Sequence, residues 1–216
     1  MSNVYISWAA PNELVRYLKD EGHRVKKVYP MGRTYMPVDC HPDIFMCKMG
    51  LSDSSEIIMA ELSEIGEKYP KNIRYNAVCT DKFFMHSLKY TSSVLLEKAK
   101  SMELRLIDVK QGYTKCNTVI VDNNSLITSD PSVYSEASKN GLEVLKISNG
   151  YVNLDGFDYG FLGGASGIVG NKIVFCGDLS SHPDYEKIYD FISNRGVEIK
   201  YFKSFPLTDI GSIIEE

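Results

Sequence analysis

The residues best equipped for covalent chemistry are the thiols, and five occur: Cys40, Cys47, Cys79, Cys116 and Cys176. A thiolate is a strong nucleophile, and a neighbouring imidazole can lower the thiol pKa or carry its proton. Imidazole and carboxylate come together in Cys40-His41-Pro42-Asp43, and a thiol leads a β-branched run in Cys116-Asn117-Thr118-Val119. Brought together, Cys116 would be the nucleophile, His41 the general acid and base, and Asp43 the group that orients the imidazole or binds a cationic substrate. A carboxylate also suits a guanidinium, which presents a flat fork of donors. The structural alternative is that Cys116 only precedes a strand and His41-Pro42 only turns the chain. His-Pro-Asp recurs at 182–184, at a helix start where capping explains it.

Other chemistries fit less well. Cys40, His41 and Cys47 match no standard zinc spacing and no second ligand pair follows, so neither metal nor cofactor is expected. The odd cysteine count and the absence of a secretory start argue against a disulfide framework. The glycine-rich run 163–170 precedes a strand and does not open a helix, so it is no dinucleotide fingerprint. Its glycines fit close backbone approach instead. Ser166 lacks the strand-to-helix elbow of esterases. Arg33, Lys48 and Lys115 lie near strand ends, where each could meet an anion but reads first as solvated.

The 216 residues are 44% hydrophobic and 24% charged, with a formal net charge of −4 and no basic block, which gives nucleic-acid binding no electrostatic support. No apolar run approaches a membrane span and the start lacks a signal peptide, so a cytoplasmic protein of one domain, 1–216, is expected. The oligomeric state stays open, a homodimer included.

The elements that must position these side chains read as repeats. In the clearest unit, Asn117–Val121 and Ser125–Thr128 form a hairpin across Asp122-Asn-Asn. Ser129-Asp130-Pro131 then opens a helix that Gly141 stops, and Glu143–Ile147 returns as a strand. The order recurs from 167: Gly167–Val169, a turn at Gly170-Asn171, Lys172–Cys176, a helix from Pro183 to Gly196, and Val197–Phe202. A third unit has Asn76–Cys79, Phe83–Met85, a helix over 92–101 and Leu104–Val109. A weaker one has Ile44–Cys47, Ile57–Met59, a helix over 60–68 and a possible return at 73–75. The N-terminal unit has a strand at Val4–Ser7, a helix from Pro11 to Gly22 and a return at Val25–Val28, with no hairpin partner. The C-terminal segment Phe205–Ile214 is the candidate to supply that missing strand, because circular repeat folds close by pairing chain ends.

Five ββαβ units resemble the pentein fold, a five-bladed α/β propeller with pseudo-fivefold symmetry found in guanidino-group-modifying enzymes: arginine and agmatine deiminases, dimethylarginine hydrolases and amidinotransferases. A non-catalytic ribosome anti-association translation factor shares it. The stretch Leu162-Gly-Gly-Ala-Ser-Gly-Ile-Val-Gly-Asn-Lys-Ile-Val-Phe-Cys-Gly-Asp178 is similar to the Gly-Gly-Asp-Val…Val-Gly entry to a blade in those enzymes. More closely, the chain looks like an uncharacterised bacterial family of the same fold.

The resemblance implies that the first strand of each unit starts near the axis, so that Asn3, Ser7, Cys40–Asp43, Asn76, Cys116, Asn117 and Gly164–Gly167 converge on a polar cavity. Asn3, Ser7, Asn76, Asn117, Gly164 and Ser166 would line it for a small ligand, around Cys116, His41 and Asp43. The implied function is binding, and hydrolysis or transfer, of a small amidine, guanidine or amide compound; the alternative is a non-catalytic module acting through a macromolecular partner. The chain departs from the enzymes in one place. They carry the nucleophilic cysteine near the C-terminus after a glycine-rich turn, and here that segment has Gly211 and Ser212 but no cysteine.

Overall fold

In the computed structural model, which describes residues 1–216, five small sheets follow one another along the chain. The first holds β1 (Asn3–Ser7), helix α1 (Asn12–Asp20) and β2 (Arg24–Val28), with β1 and β2 parallel. The second opens with a single helical turn, α2 (Pro42–Phe45), and pairs β3 (Met46–Lys48) with β4 (Ile57–Met59). The third orders β5 (Val78–Cys79), β6 (Phe83–His86) and, after α3 (Ser93–Ser101), β7 (Arg105–Asp108). The fourth has another helical turn, α4 (Thr114–Asn117), then β8 (Thr118–Ile120), β9 (Ser125–Thr128), α5 (Pro131–Lys139) and β10 (Glu143–Lys146). The fifth has β11 (Ser166–Val169), β12 (Lys172–Phe175), α6 (Tyr185–Ser193) and β13 (Glu198–Lys200). In sheets three, four and five the first strand is antiparallel to the second, and the third, reached through a helix, is parallel to it.

The repeat lies in the packing as much as in the pairing. Each nine-residue helix buries an i, i+4 pair: Leu14 and Leu18, Leu95 and Ala99, Val133 and Ala137, Ile188 and Ile192. That spacing places both side chains of a pair on one face, against the sheet. The start of α5 is fixed by Asp130, whose carboxylate accepts from Ser132 N and Val133 N. No helix is long and apolar enough to cross a membrane.

The chain ends meet. A last strand, β14 (Ile214–Glu215), pairs antiparallel with β1, Tyr5 opposite Ile214 and Val4 opposite Glu215. Strand β1 is therefore the middle strand of its sheet, and the C-terminus supplies the first. This corrects the placement of Asn3 and Ser7 at a leading strand: the residues just before β14 hold that position.

Unit two departs further from the repeat. The expected helix over 60–68 is only a 3₁₀ turn, Leu62–Glu64, and no strand forms at 73–75. Gly66 falls inside that segment and Pro70 just beyond it, and both weaken a helix. Ile73 and Tyr75 still enter the core, as irregular backbone. The expected start of the last helix at Pro183 also moves: a 3₁₀ turn at Leu179–Ser181 comes first and α6 begins at Tyr185.

Candidate active site

Two helical turns carry the candidate residues. In α2, His41 precedes Pro42 at the first position, and Asp43 follows with its backbone N–H donating to Gly211 O at 3.1 Å. In α4, Asn76 Oδ1 accepts from Lys115 N at 2.8 Å and Cys116 N at 3.1 Å, satisfying donors that a short helix leaves open. The glycine run brings a third segment close, since Gly164 N donates to Cys116 O at 2.7 Å. A Cβ at Gly164 would collide with the Asp209 carboxylate, so only glycine fits there.

These contacts set Cys116 Sγ 3.0 Å from Asp43 Oδ2, with the thiol donating, while Asn76 Nδ2 donates to Sγ at 3.2 Å. Ser212 Oγ donates to the same Asp43 oxygen at 2.7 Å, and Lys115 Nζ donates to Ser212 Oγ at 3.1 Å. The result is a chain from ammonium to hydroxyl to carboxylate to thiol. Asp43 Oδ1 has no hydrogen-bond partner. Asp209 accepts from Phe161 N at 2.9 Å and Gly211 N at 3.0 Å, and lies 3.8 Å from His41 Nδ1. Cys116, Asp43, His41, Asn76, Asp209 and Ser212 are all buried.

Burial dominates the electrostatics. It holds His41 neutral, with its pKa pushed down to about 4 despite Asp43 nearby. It raises Asp209 to about 6, against the lowering effect of the Gly211 and Phe161 amides and Lys115. Asp43 is raised too, again by burial first. Cys116 is pushed well above the ordinary thiol range by burial and by the charges of Asp43 and Asp209, so it rests as a neutral thiol. Lys115 is lowered by burial, while Asp43 favours its charge. This corrects the reading of Lys115 as solvated: the side chain turns its ammonium inward.

A pocket of about 320 Å³ opens on this cluster, with His41, Cys116 and Asp209 in its lining together with aromatic side chains. Its walls come from the loop bearing Tyr35, where the sequence had offered only Arg33, which does not line the pocket, and from the segment 154–161, which held no sequence-based candidate. The donor atoms of His41, Asp43 and Cys116 lie within 4.8 Å of one another, types that could also hold a transition metal.

The other sequence candidates divide. Asn76 joins the cluster, and Gly164 backs it. Asn117 turns away, its Oδ1 accepting from Thr128 Oγ1 at 2.6 Å and Asp130 N at 3.1 Å, which ties a strand end to a helix start. Ser166 lies on a separate cavity of about 70 Å³. Asn3 bonds the terminal Glu216, and Ser7 donates to Cys40 Sγ at 3.1 Å, so neither reaches the pocket.

Residues 50–214 match a family of unknown function, DUF6873. The chain belongs to that family. No curated protein matches the sequence. Among solved structures, this DUF6873 chain is similar to DDAH from Pseudomonas aeruginosa, a cysteine-to-serine mutant complexed with citrulline. The TM-score is 0.56 at 10% sequence identity, over 94% of this chain and 92% of that one. The DUF6873 chain thus has the pentein α/β fold. It presents Ser212 and Cys116 to one carboxylate oxygen, from its C-terminal segment and from unit four respectively.

Proposed function

We propose that this chain is a thiol-dependent enzyme acting on a small amidine or guanidine compound, held where five blades of an α/β propeller meet. The ring is supported by contacts between successive sheets: α2 with β1, β3 with β5, α5 with β7, and β11 with both β8 and β14. The observation that carries the chemistry is the 3.0 Å hydrogen bond from Cys116 to Asp43, at the edge of a pocket that also reaches His41 and Asp209. The enzymes of this fold place their thiol near the C-terminus; here Cys116 would deliver a thiol to the carboxylate that Ser212 also binds.

An amidinium entering the pocket places positive charge beside Asp209 and Asp43, which favours loss of the thiol proton. That proton passes from Sγ to Asp43 Oδ2 as sulfur attacks the amidine carbon. The tetrahedral adduct expels an amine, which takes the proton from Asp43 and leaves an S-amidinium on Cys116. Neutral His41 then removes a proton from water, the hydroxide attacks the same carbon, and the C–S bond breaks. His41 returns its proton to sulfur, and the O-protonated amide left at the carbon gives its hydroxyl proton to the released amine, which ends as an ammonium ion. The products are an amide, or a urea from a guanidine, and an ammonium ion.

A second reading keeps the pocket and drops the chemistry, as a non-catalytic binding module. The deeply buried, neutral Cys116 and the absence of a C-terminal thiol favour it. Release of ammonia or amine from any amidine separates the two.

Binding carries a pH signature common to both. Asp209 loses its proton as pH rises through about 6, and His41, neutral down to about 4, adds no opposing charge in that range. A cation should bind about tenfold more tightly at pH 7 than at pH 5. Calorimetric titration with benzamidine, a cation throughout, checks this. A flat profile, or tighter binding at pH 5, would contradict the assignment of Asp209 to the cation.

A further inference from the structure

The pocket is asymmetric. Its polar end is made by His41, Cys116 and Asp209, all three buried. Its walls are apolar and aromatic: Tyr35, Tyr113, Leu154, Phe157, Tyr159 and Phe161. Tyr35 and Phe157, from two different loops, approach with ring centroids 5.7 Å apart. Phe157 and Tyr159 are 46% and 37% exposed, so much of their ring surface is left uncovered.

The charged groups of the lining all have one sign. Asp158 and Asp209 belong to it, and no lysine or arginine does. The nearest ammonium of the cluster, Lys115, is bonded to Ser212 and lines the separate 70 Å³ cavity instead. A ligand carboxylate would be drawn out of water against aromatic walls and Asp158, with no cation to pair it. An aromatic arm would gain stacking and burial from the same walls.

We propose, resting on the amidine reading above, that the substrate is an amidine or guanidine carrying an aromatic or other apolar arm and no carboxylate, with Asp158 the residue that rejects acidic analogues. Amino-acid substrates are thereby excluded, and discrimination comes as much from the repelling aspartate as from the attractive walls.

Three amidines separate the possibilities by calorimetry at pH 8: acetamidine, benzamidine and 4-amidinobenzoate, the last differing from benzamidine only by a carboxylate. The expected result is benzamidine binding at least about tenfold more tightly than either of the others. In Asp158→Lys, an exposed position, the gap between benzamidine and 4-amidinobenzoate should close or reverse. Equal affinity for those two in the native protein, or an unchanged gap in Asp158→Lys, overturns the selectivity while leaving the amidine reading intact. Acetamidine binding as tightly as benzamidine removes the role of the arm in the same way. Failure of all three to bind overturns both the selectivity and the amidine reading.

Discussion

Replacing Cys116 with alanine is expected to lower turnover of an accepted amidine by about 10⁴-fold or more while leaving its binding nearly unchanged. Loss of a nucleophile that forms the covalent intermediate costs this much in enzymes whose groups act as a unit. Binding should survive because the cation is held by Asp209 and the aromatic walls, not by sulfur. The other four cysteines are internal controls. Cys47, Cys79 and Cys176 are buried, and burial pushes Cys47 and Cys176 up to about 12. Cys40 is also raised by burial and donates to the Pro37 carbonyl at 3.0 Å. Alanine at any of these four should leave kcat within a fewfold of the native value. Ammonia or amine release at saturating substrate, beside a calorimetric Kd, checks both halves.

Gly211→Ala is expected to destabilise the protein by about 4 kcal/mol or more, at the upper end of single-residue effects. Two causes act together. Gly211 has φ +70°, a region that disfavours a side chain, and an added Cβ would collide with His41 Cβ and Cγ and lie 2.5 Å from His41 Cα. Neither partner yields easily, because Gly211 O also accepts the backbone N–H of Asp43. Displacing one segment displaces the turn that presents both His41 and Asp43. Gly150→Ala isolates the backbone contribution. Gly150 has φ +92° with nothing within 4 Å of a new Cβ, so it should cost only about 1–2 kcal/mol. Urea denaturation midpoints of the two variants, read at constant slope, give the comparison.

Much of the fold was legible because each unit punctuates itself. A hairpin turn, a helix start near Ser, Asp or Pro, a glycine stop and a returning apolar run are all local signals. The pairing of the chain ends could also be anticipated, because the N-terminal unit visibly lacked a strand. Unit two was misread because apolar Ile73 and Tyr75 are buried without forming a strand: burial leaves a hydrophobic mark, but irregular backbone has no period to detect.

The site was half legible. Cys116, His41, Asp43 and Asn76 stand out as polar residues ahead of apolar strands. Asp209 and Ser212 were missed although the pairing of the chain ends points to them: if β14 leads the first sheet, the residues before it occupy the same place that Cys116 holds in unit four. Asn3 and Ser7 were chosen for the opposite assignment, with β1 as the leading strand. Lys115 was read as solvated because a lysine beside a turn usually is, and only its hydrogen bond to the distant Ser212 draws it inward. The aromatic walls carry no local signature, since they come from loops whose mutual approach depends on the whole fold.

The central claim is that Cys116 attacks the amidine carbon of a ligand held beside Asp43 and His41. A 2-haloacetamidine tests it directly, because such a reagent presents the cationic head that the pocket should bind and an electrophilic carbon next to it. Peptide mapping by mass spectrometry after incubation at pH 8 should find one adduct, on Cys116, whose formation benzamidine slows by competition. Modification at Cys40, Cys47, Cys79 or Cys176 in preference to Cys116, or labelling of Cys116 that benzamidine does not affect, would contradict it.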